Sequence, residues 1–188
     1  MVLLHDTDLD ALAAGEIVLR DEVLGEPTAR RMLDEARGLA GAAAPAGIGR
    51  DRVRDGRVRG DAIVWVDPPA LAPLHAAFED LRATLNRAYL GLTTFDVQLA
   101  RYPGDGAAYI RHRDAFHGGT SRVVTAIYYL NPDWGSGDGG ALRVHLRGGA
   151  RDIEPRLDRM VAFLSDAVEH EVLPTARERL AVTAWYRR

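Results

Sequence analysis

The chain has 188 residues, is 47% hydrophobic by composition and carries a formal net charge of −3 at pH 7. Those values suit one globular domain and offer no global field to draw in nucleic acid or an anionic membrane. Its basic residues are all arginine, 24 in number, and it has no cysteine. Thiol nucleophiles, thiolate-held zinc, cysteine-ligated iron–sulfur clusters, Schiff-base lysines and the phosphate-binding lysine of P-loops are therefore excluded.

The opening residues, MVLLHDTDLD, lack the basic segment and apolar run of a signal peptide, and no later stretch reaches the ~20 apolar residues that cross a bilayer. The expectation is a cytoplasmic, monomeric protein. Residues 8–14 read as a short helix and 17–24 as a strand. Over 27–40, Ala29, Met32, Leu33, Ala36 and Leu39 fall at helical spacing behind Pro27, which suits a first turn. The same spacing recurs over 71–90 with Leu71, Leu74, Phe78, Leu81, Leu85 and Tyr89. Between these helices lies a stretch in which Arg50, Arg52, Arg54, Arg57 and Arg59 alternate with Asp51, Asp55 and Asp61. It reads either as a solvated loop or as a lid that orders over a substrate. A strand over 62–67 follows it.

From residue 95 the texture changes. Short β-rich runs over 95–102, 107–114, 122–130, 140–146, 159–164, 169–173 and 179–186 are separated by PGDG, HGGT, NPDWGSGDGG and PTARE. Such spacing predicts a β-sandwich or barrel with the helices packed on one sheet. The helices alone cannot bury their apolar faces, so residues 1–188 are expected to form a single domain. Residues 1–94 would supply helical support, the lid and the first strands, and 95–188 the β core.

The first chemical signal is YIRHRD at 109–114. Side chains alternate along a strand, so His112 and Asp114 are expected on one face, where an imidazole and a carboxylate can share a metal. The second is His170, which opens another strand. Two histidines and one carboxylate match the facial triad of non-haem iron(II) oxygenases, which leaves three octahedral positions open. A structural zinc would instead want a closed tetrahedral shell. The third is Arg179, nine residues after His170 with PTA between. A hairpin about that turn would bring the two residues within the ~5 Å of cross-strand neighbours. Arg179 could then fork onto the far carboxylate of a chelating diacid such as 2-oxoglutarate, with Thr183 and Trp185 on the same face. His117, in a Gly-rich turn, is the rival for second ligand. His5 and His75 read as solvent-facing, and His145 as an ordinary strand residue.

These residues sit in ARYPGDGAAYIRHRD, RVVTAIYYLNPDWGSGDGGALRVH, DIEPRLDRMVAFLSD, HEV and RLAVTAWY, with RGDAIVW upstream. In them the chain resembles the prolyl hydroxylase branch of the 2-oxoglutarate oxygenases, of the hypoxia-inducible-factor type and its bacterial relatives. The resemblance implies a mainly β double-stranded β-helix (a cupin-like jelly roll) with flanking α-helices. It implies Fe(2+) held by His112, Asp114 and His170. For 2-oxoglutarate it implies Arg179 and a hydrogen bond from Tyr129, with Tyr102, Ile127, Thr183 and Trp185 lining the pocket. It further implies dioxygen as second cosubstrate, L-ascorbate as support, and an Asp61–Arg122 pair tying the lid, with Arg59, to the barrel. The presence of Asp114 favours hydroxylation over halogenation. The chain departs from the pattern at Asp105, in a span one residue shorter before His170, and in stopping at Arg188, where family members often continue into a helix.

The implied activity is hydroxylation of a prolyl residue in a protein, at the 4-position, with elongation factor Tu a target by analogy. The same chemistry on a free amino acid or other small molecule is the alternative. A non-catalytic metal-binding jelly-roll module is the reading from another class.

Overall fold

The computed structural model describes residues 4–47, 55, 58–88, 90–115 and 122–188. Three helices precede most of the β structure: α1 (Asp6–Ala13), α2 (Glu26–Ala40) and α3 (Ala72–Asn86). The strands are β1 (Val18–Arg20), β2 (Ala44–Pro45), β3 (Ala62–Trp65), β4 (Thr94–Tyr102), β5 (Tyr109–His112) and β6 (Arg122–Tyr129). They continue with β7 (Leu142–Leu146), β8 (Gly149–Ile153), β9 (Arg159–Leu164), β10 (Glu169–Val172) and β11 (Arg179–Arg187). A seven-stranded sheet runs β1-β9-β6-β11-β4-β3-β2 and a four-stranded sheet runs β5-β10-β7-β8. Neighbours in both are antiparallel.

Alternation along the central strands explains the layering. On β6, Val124, Ala126 and Tyr128 join a core shared with the helices, while Ile127 and Tyr129 join a second core shared with the small sheet. On β11, Leu180, Val182, Ala184 and Tyr186 face the helices and Ala181 the small sheet. A sheet buried on both faces reads as a near-continuous apolar run, as RVVTAIYY and RLAVTAWY do. Helix α2 contributes Met32, Leu33, Ala36 and Ala40 to the first core, and α3 contributes Leu74, Phe78, Leu81 and Leu85. Glu35 of α2 accepts from the Leu71 N–H at 2.9 Å, satisfying a donor at the start of α3. The result is helices against one face of a jelly roll. No described helix is long and apolar enough to cross a membrane.

Several expected elements differ in detail. The strand expected over 17–24 is confined to Val18–Arg20. Glu22 takes φ 58°, and Leu24 N–H turns to the Asp158 carboxylate at 2.8 Å. Strand β8 was not foreseen, because GARDI is exposed over four of its five positions and carries no apolar alternation. The helix expected over 71–90 begins one residue later, since Leu71 is left-handed at φ 52°, and ends at Asn86; Tyr89 lies outside the described residues. Most consequential, the hairpin expected between His170 and Arg179 does not form. Strand β10 pairs with β5 and β7, and β11 with β4 and β6. The intervening link crosses between sheets because its backbone finds partners elsewhere. Gly140 N–H donates to Pro174 O, Thr175 N–H to Ala107 O and Gly106 N–H to Thr175 O.

Candidate metal centre and the cavity between the sheets

The two sheets enclose a cavity of about 490 Å³. On the small sheet, His112 of β5 stands opposite His170 of β10, with the rings 4.3 Å apart. The pairing slips between His170 and Val172, a bulge that lets both Tyr109 and His112 turn inward while Ile110 and Arg111 face out. Tyr109 stacks on the His112 ring at 3.7 Å. Asp114 follows in a bend and is buried. His112 Nε2 lies 3.8 Å from one Asp114 oxygen and His170 Nε2 3.8 Å from the other. The three donor atoms fall within 4.8 Å of one another.

Backbone carbonyls fix both imidazoles. His112 Nδ1 meets Ile110 O at 2.7 Å and His170 Nδ1 meets Val168 O at 3.3 Å. A carbonyl can only accept, so each Nδ1 donates and each Nε2 of a neutral ring keeps its lone pair for the centre. Burial, reinforced by His170, lowers His112 to about 4, so it is neutral at pH 7. Burial pushes the Asp114 carboxyl up, but His170, His112 and donors including Thr125 bring it below the usual carboxylate range. An N,N,O donor set whose Nε2 atoms and carboxylate converge on one point fits a divalent first-row metal.

Across the cavity, the large sheet presents Arg179, 1% exposed at the start of β11. Its Nε–H donates to Gly140 O at 2.9 Å, and its guanidinium lies 5.0 Å from the Tyr102 ring and 5.2 Å from the Tyr129 ring. Among the described residues no carboxylate pairs with it. The Tyr129 hydroxyl is buried with no hydrogen-bond partner, and burial pushes it up to about 12. A buried cation without a counter-ion, beside an orphan hydroxyl, is a cradle for an anion. Tyr102 pairs with Arg179 across β4–β11, and Thr183 pairs with Ile127 across β11–β6. All four, with Trp185, Arg59, Asp61, Arg122 and the triad, line the cavity.

One expected contact is replaced. Asp61 pairs with Arg59, through bonds of 2.6 and 2.8 Å, and not with Arg122. Arg59 and Asp61 are two apart on an extended segment, whereas β11 and β4 separate β6 from β3 in the sheet order. The Arg122 guanidinium lies 4.0 Å from the Trp185 ring centre, with its Nε unpartnered. The Arg59 end of the Arg-rich stretch is stitched to β5: Gly60 N–H donates to Ala108 O and Ile110 N–H to Val58 O. Arg50, Asp51, Arg52, Arg54, Arg57 and the rival ligand His117 lie outside the described residues. His75 is not solvent-facing, since its Nε2 is buried and its ring lies beside Phe95. His145 pairs with Glu171 at 3.0 Å.

Sequence reasoning missed Tyr109, whose parity with His112 is wrong without the bulge, and the buried hydroxyls of Thr125 and Ser165. Thr125 shares the strand parity of Ile127 and Tyr129, a signal that was present. Ser165 had none.

A model for the 2OG-Fe(II) oxygenase superfamily matches residues 97–187. The chain is 38% identical to a crystallised Pseudomonas putida prolyl-4-hydroxylase, with 97% of each chain covered and a TM-score of 0.87. It is 29% identical to a Trichoplax adhaerens prolyl hydroxylase solved with a hypoxia inducible factor peptide, covering 96% of this chain and 87% of that one at a TM-score of 0.86. Human Egl nine homolog 1 is 35% identical over 186 residues, covering 90% of this chain and 43% of that protein. The chain spans about half the length of the curated relatives it matches. It belongs to the 2OG-Fe(II) oxygenase superfamily, whose members use Fe(2+) as cofactor and 2-oxoglutarate and dioxygen as cosubstrates. Within it, the chain's homology runs to the Egl nine prolyl hydroxylases and its structural likeness to the bacterial prolyl-4-hydroxylase.

Proposed function

We propose that this oxygenase hydroxylates a prolyl residue of a protein at the 4-position, with His112, Asp114 and His170 holding iron and Arg179 the far carboxylate of 2-oxoglutarate. The observation that carries the reading is the pairing, across one cavity, of a converging His/Asp/His cluster with a buried arginine that has no counter-ion among the described residues. When bound, iron and 2-oxoglutarate convert dioxygen and a C–H bond to a hydroxyl, succinate and carbon dioxide. The chain's own residues position and shield. The Ile110 and Val168 carbonyls aim the imidazoles, Arg179 and Tyr129 anchor the diacid, and Tyr102, Ile127, Thr183 and Trp185 wall the pocket. Arg59, Asp61 and Arg122 line the same cavity and would face the polypeptide.

The relatives' action on protein substrates supports a protein partner, and elongation factor Tu is the target the bacterial likeness favours. L-ascorbate is the expected supporting reductant. The helices share one core with the large sheet, which supports a single domain over 1–188. A cytoplasmic monomer with no nucleic-acid or membrane partner completes the reading.

The test is proteomic. A lysate incubated with the wild-type protein, iron and 2-oxoglutarate should show a proline carrying one added oxygen that is missing when His112→Ala replaces it. Oxidation confined to small molecules would overturn the protein substrate. Equal turnover by the two proteins would overturn the metal site.

A further inference from the structure

We propose that Thr125 and Ser165 form a one-way hydroxyl relay that holds Asp114 to the metal through a single oxygen. The inference rests on the reading of His112, Asp114 and His170 as ligands. Thr125 and Ser165 are both fully buried. The Thr125 hydroxyl donates to Asp114 Oδ2 at 2.8 Å, and Ser165 Oγ lies 2.9 Å from Thr125 Oγ1.

The direction of the relay follows from proton counting. An ionised carboxylate has no proton to give, so the one hydroxyl proton of Thr125 goes to Asp114. Thr125 can then only accept from Ser165, whose proton must point at it. Each donor is spent on one acceptor, and the chain of bonds has a single arrangement. Its far end is fixed as well. Ser165 N–H donates to Val123 O at 3.0 Å, and Ser165 O accepts from Ala115 N–H at 3.2 Å. Ser165 therefore grips the backbone just beyond Asp114 and, through Thr125, the carboxylate itself.

The consequence concerns coordination number. A carboxylate free to rotate about its last bond can swing to chelate an ion with both oxygens. Together with two imidazoles it would then fill four octahedral positions, not three. A chelating keto acid takes two more, and no position would remain. With Oδ2 tethered to the Thr125 hydroxyl, rotation costs a buried, charge-assisted hydrogen bond, and Asp114 stays monodentate. Thr125 and Ser165 are positioning residues, since neither touches substrate.

The experiment measures Mn(II) alone, by loss of the free-ion EPR signal, and the visible spectrum with Co(II) as a report on coordination number. Thr125→Val keeps the shape but removes the proton. It should weaken Mn(II) binding about 10- to 100-fold and change the Co(II) spectrum. Thr125→Ser should restore both to within about twofold, because only the hydroxyl matters. Ser165→Ala should lower affinity less, and the Thr125→Val/Ser165→Ala pair should be no worse than Thr125→Val, as expected for bonds in series. If Thr125→Val does not fold, Thr125→Ser and Ser165→Ala carry the test. Wild-type affinity and spectrum in Thr125→Val, or in Ser165→Ala where that variant carries the test, would overturn the relay; so would a Thr125→Ser as impaired as valine. Loss of Mn(II) in His112→Ala but not in Thr125→Val defeats the relay alone. Equal binding by wild type and His112→Ala defeats the triad reading and the relay together.

Discussion

At the scale of single residues, polar groups left unsatisfied in the protein itself lie in and behind the cavity wall. Tyr129 illustrates the tension. Its hydroxyl is buried with no hydrogen bond of normal geometry, beside an Arg179 guanidinium that has no counter-ion among the described residues. A buried polar group left unpaired costs about 1–3 kcal/mol. Tyr129→Phe should therefore stabilise the cosubstrate-free protein by about 1 kcal/mol in urea unfolding while raising the KM for 2-oxoglutarate severalfold. A variant that loses stability, or keeps its KM, would show that the hydroxyl has another partner. The proposed ligands were legible in the sequence because imidazole and carboxylate chemistry restricts which side chains can serve. That Asp61 pairs with Arg59 and not with Arg122 was not legible, because it depends on strand order, which no local spacing encodes.

Among elements, the link from β10 to β11 shows where local reasoning stops. Residues 170 and 179 have the spacing of a hairpin, yet the strands belong to different sheets. Arg179 and His170 nevertheless line one cavity, reached from two sheets instead of across one hairpin. What moves the link away is close packing of glycine turns against it. Gly104 sits at φ 88°, and a Cβ there would lie 2.6 Å from the Arg177 carbonyl carbon. Gly106 has nearly the same φ, 89°, but nothing within 4 Å of such an atom. Gly106→Ala should cost only the left-handed penalty of about 1–2 kcal/mol. Gly104→Ala should cost about 3 kcal/mol or more, because backbone must shift. Urea midpoints of the two variants make the comparison, and equal losses would contradict it. Strands β6 and β11 were readable from their apolar runs, whereas edge strand β8 buries only Ile153 and so leaves no pattern.

For the whole molecule, the helical layer carries a pH dependence of its own. His75 of α3 is held below its ordinary range by burial, partly offset by a bond to the Val66 carbonyl. In the unfolded chain it titrates near 6.5. Below that pH the unfolded state binds the proton and the folded state resists it, so stability is full above about 6.5 and falls as pH drops toward the lowered value. Thermal melts of wild type from pH 7.5 to 5.5 should show a decline that His75→Gln lessens, the lowered His112 supplying the remainder; parallel slopes would remove His75 as a contributor. Its place on a predicted helix had put this histidine at the surface, because the helix period alone does not reveal that Phe95 of β4 lies beside it.

The proposed metal ligands all come from β5, β10 and the bend after β5, whereas the proposed diacid anchors, Arg179 and Tyr129, belong to the large sheet. An ion on one wall and a carboxylate clamp on the other make the bound keto acid an internal rivet between two plates. Loading therefore ties the halves of the barrel together. The melting temperature becomes a meter of occupancy, able to rank diacids by length before any turnover is measured.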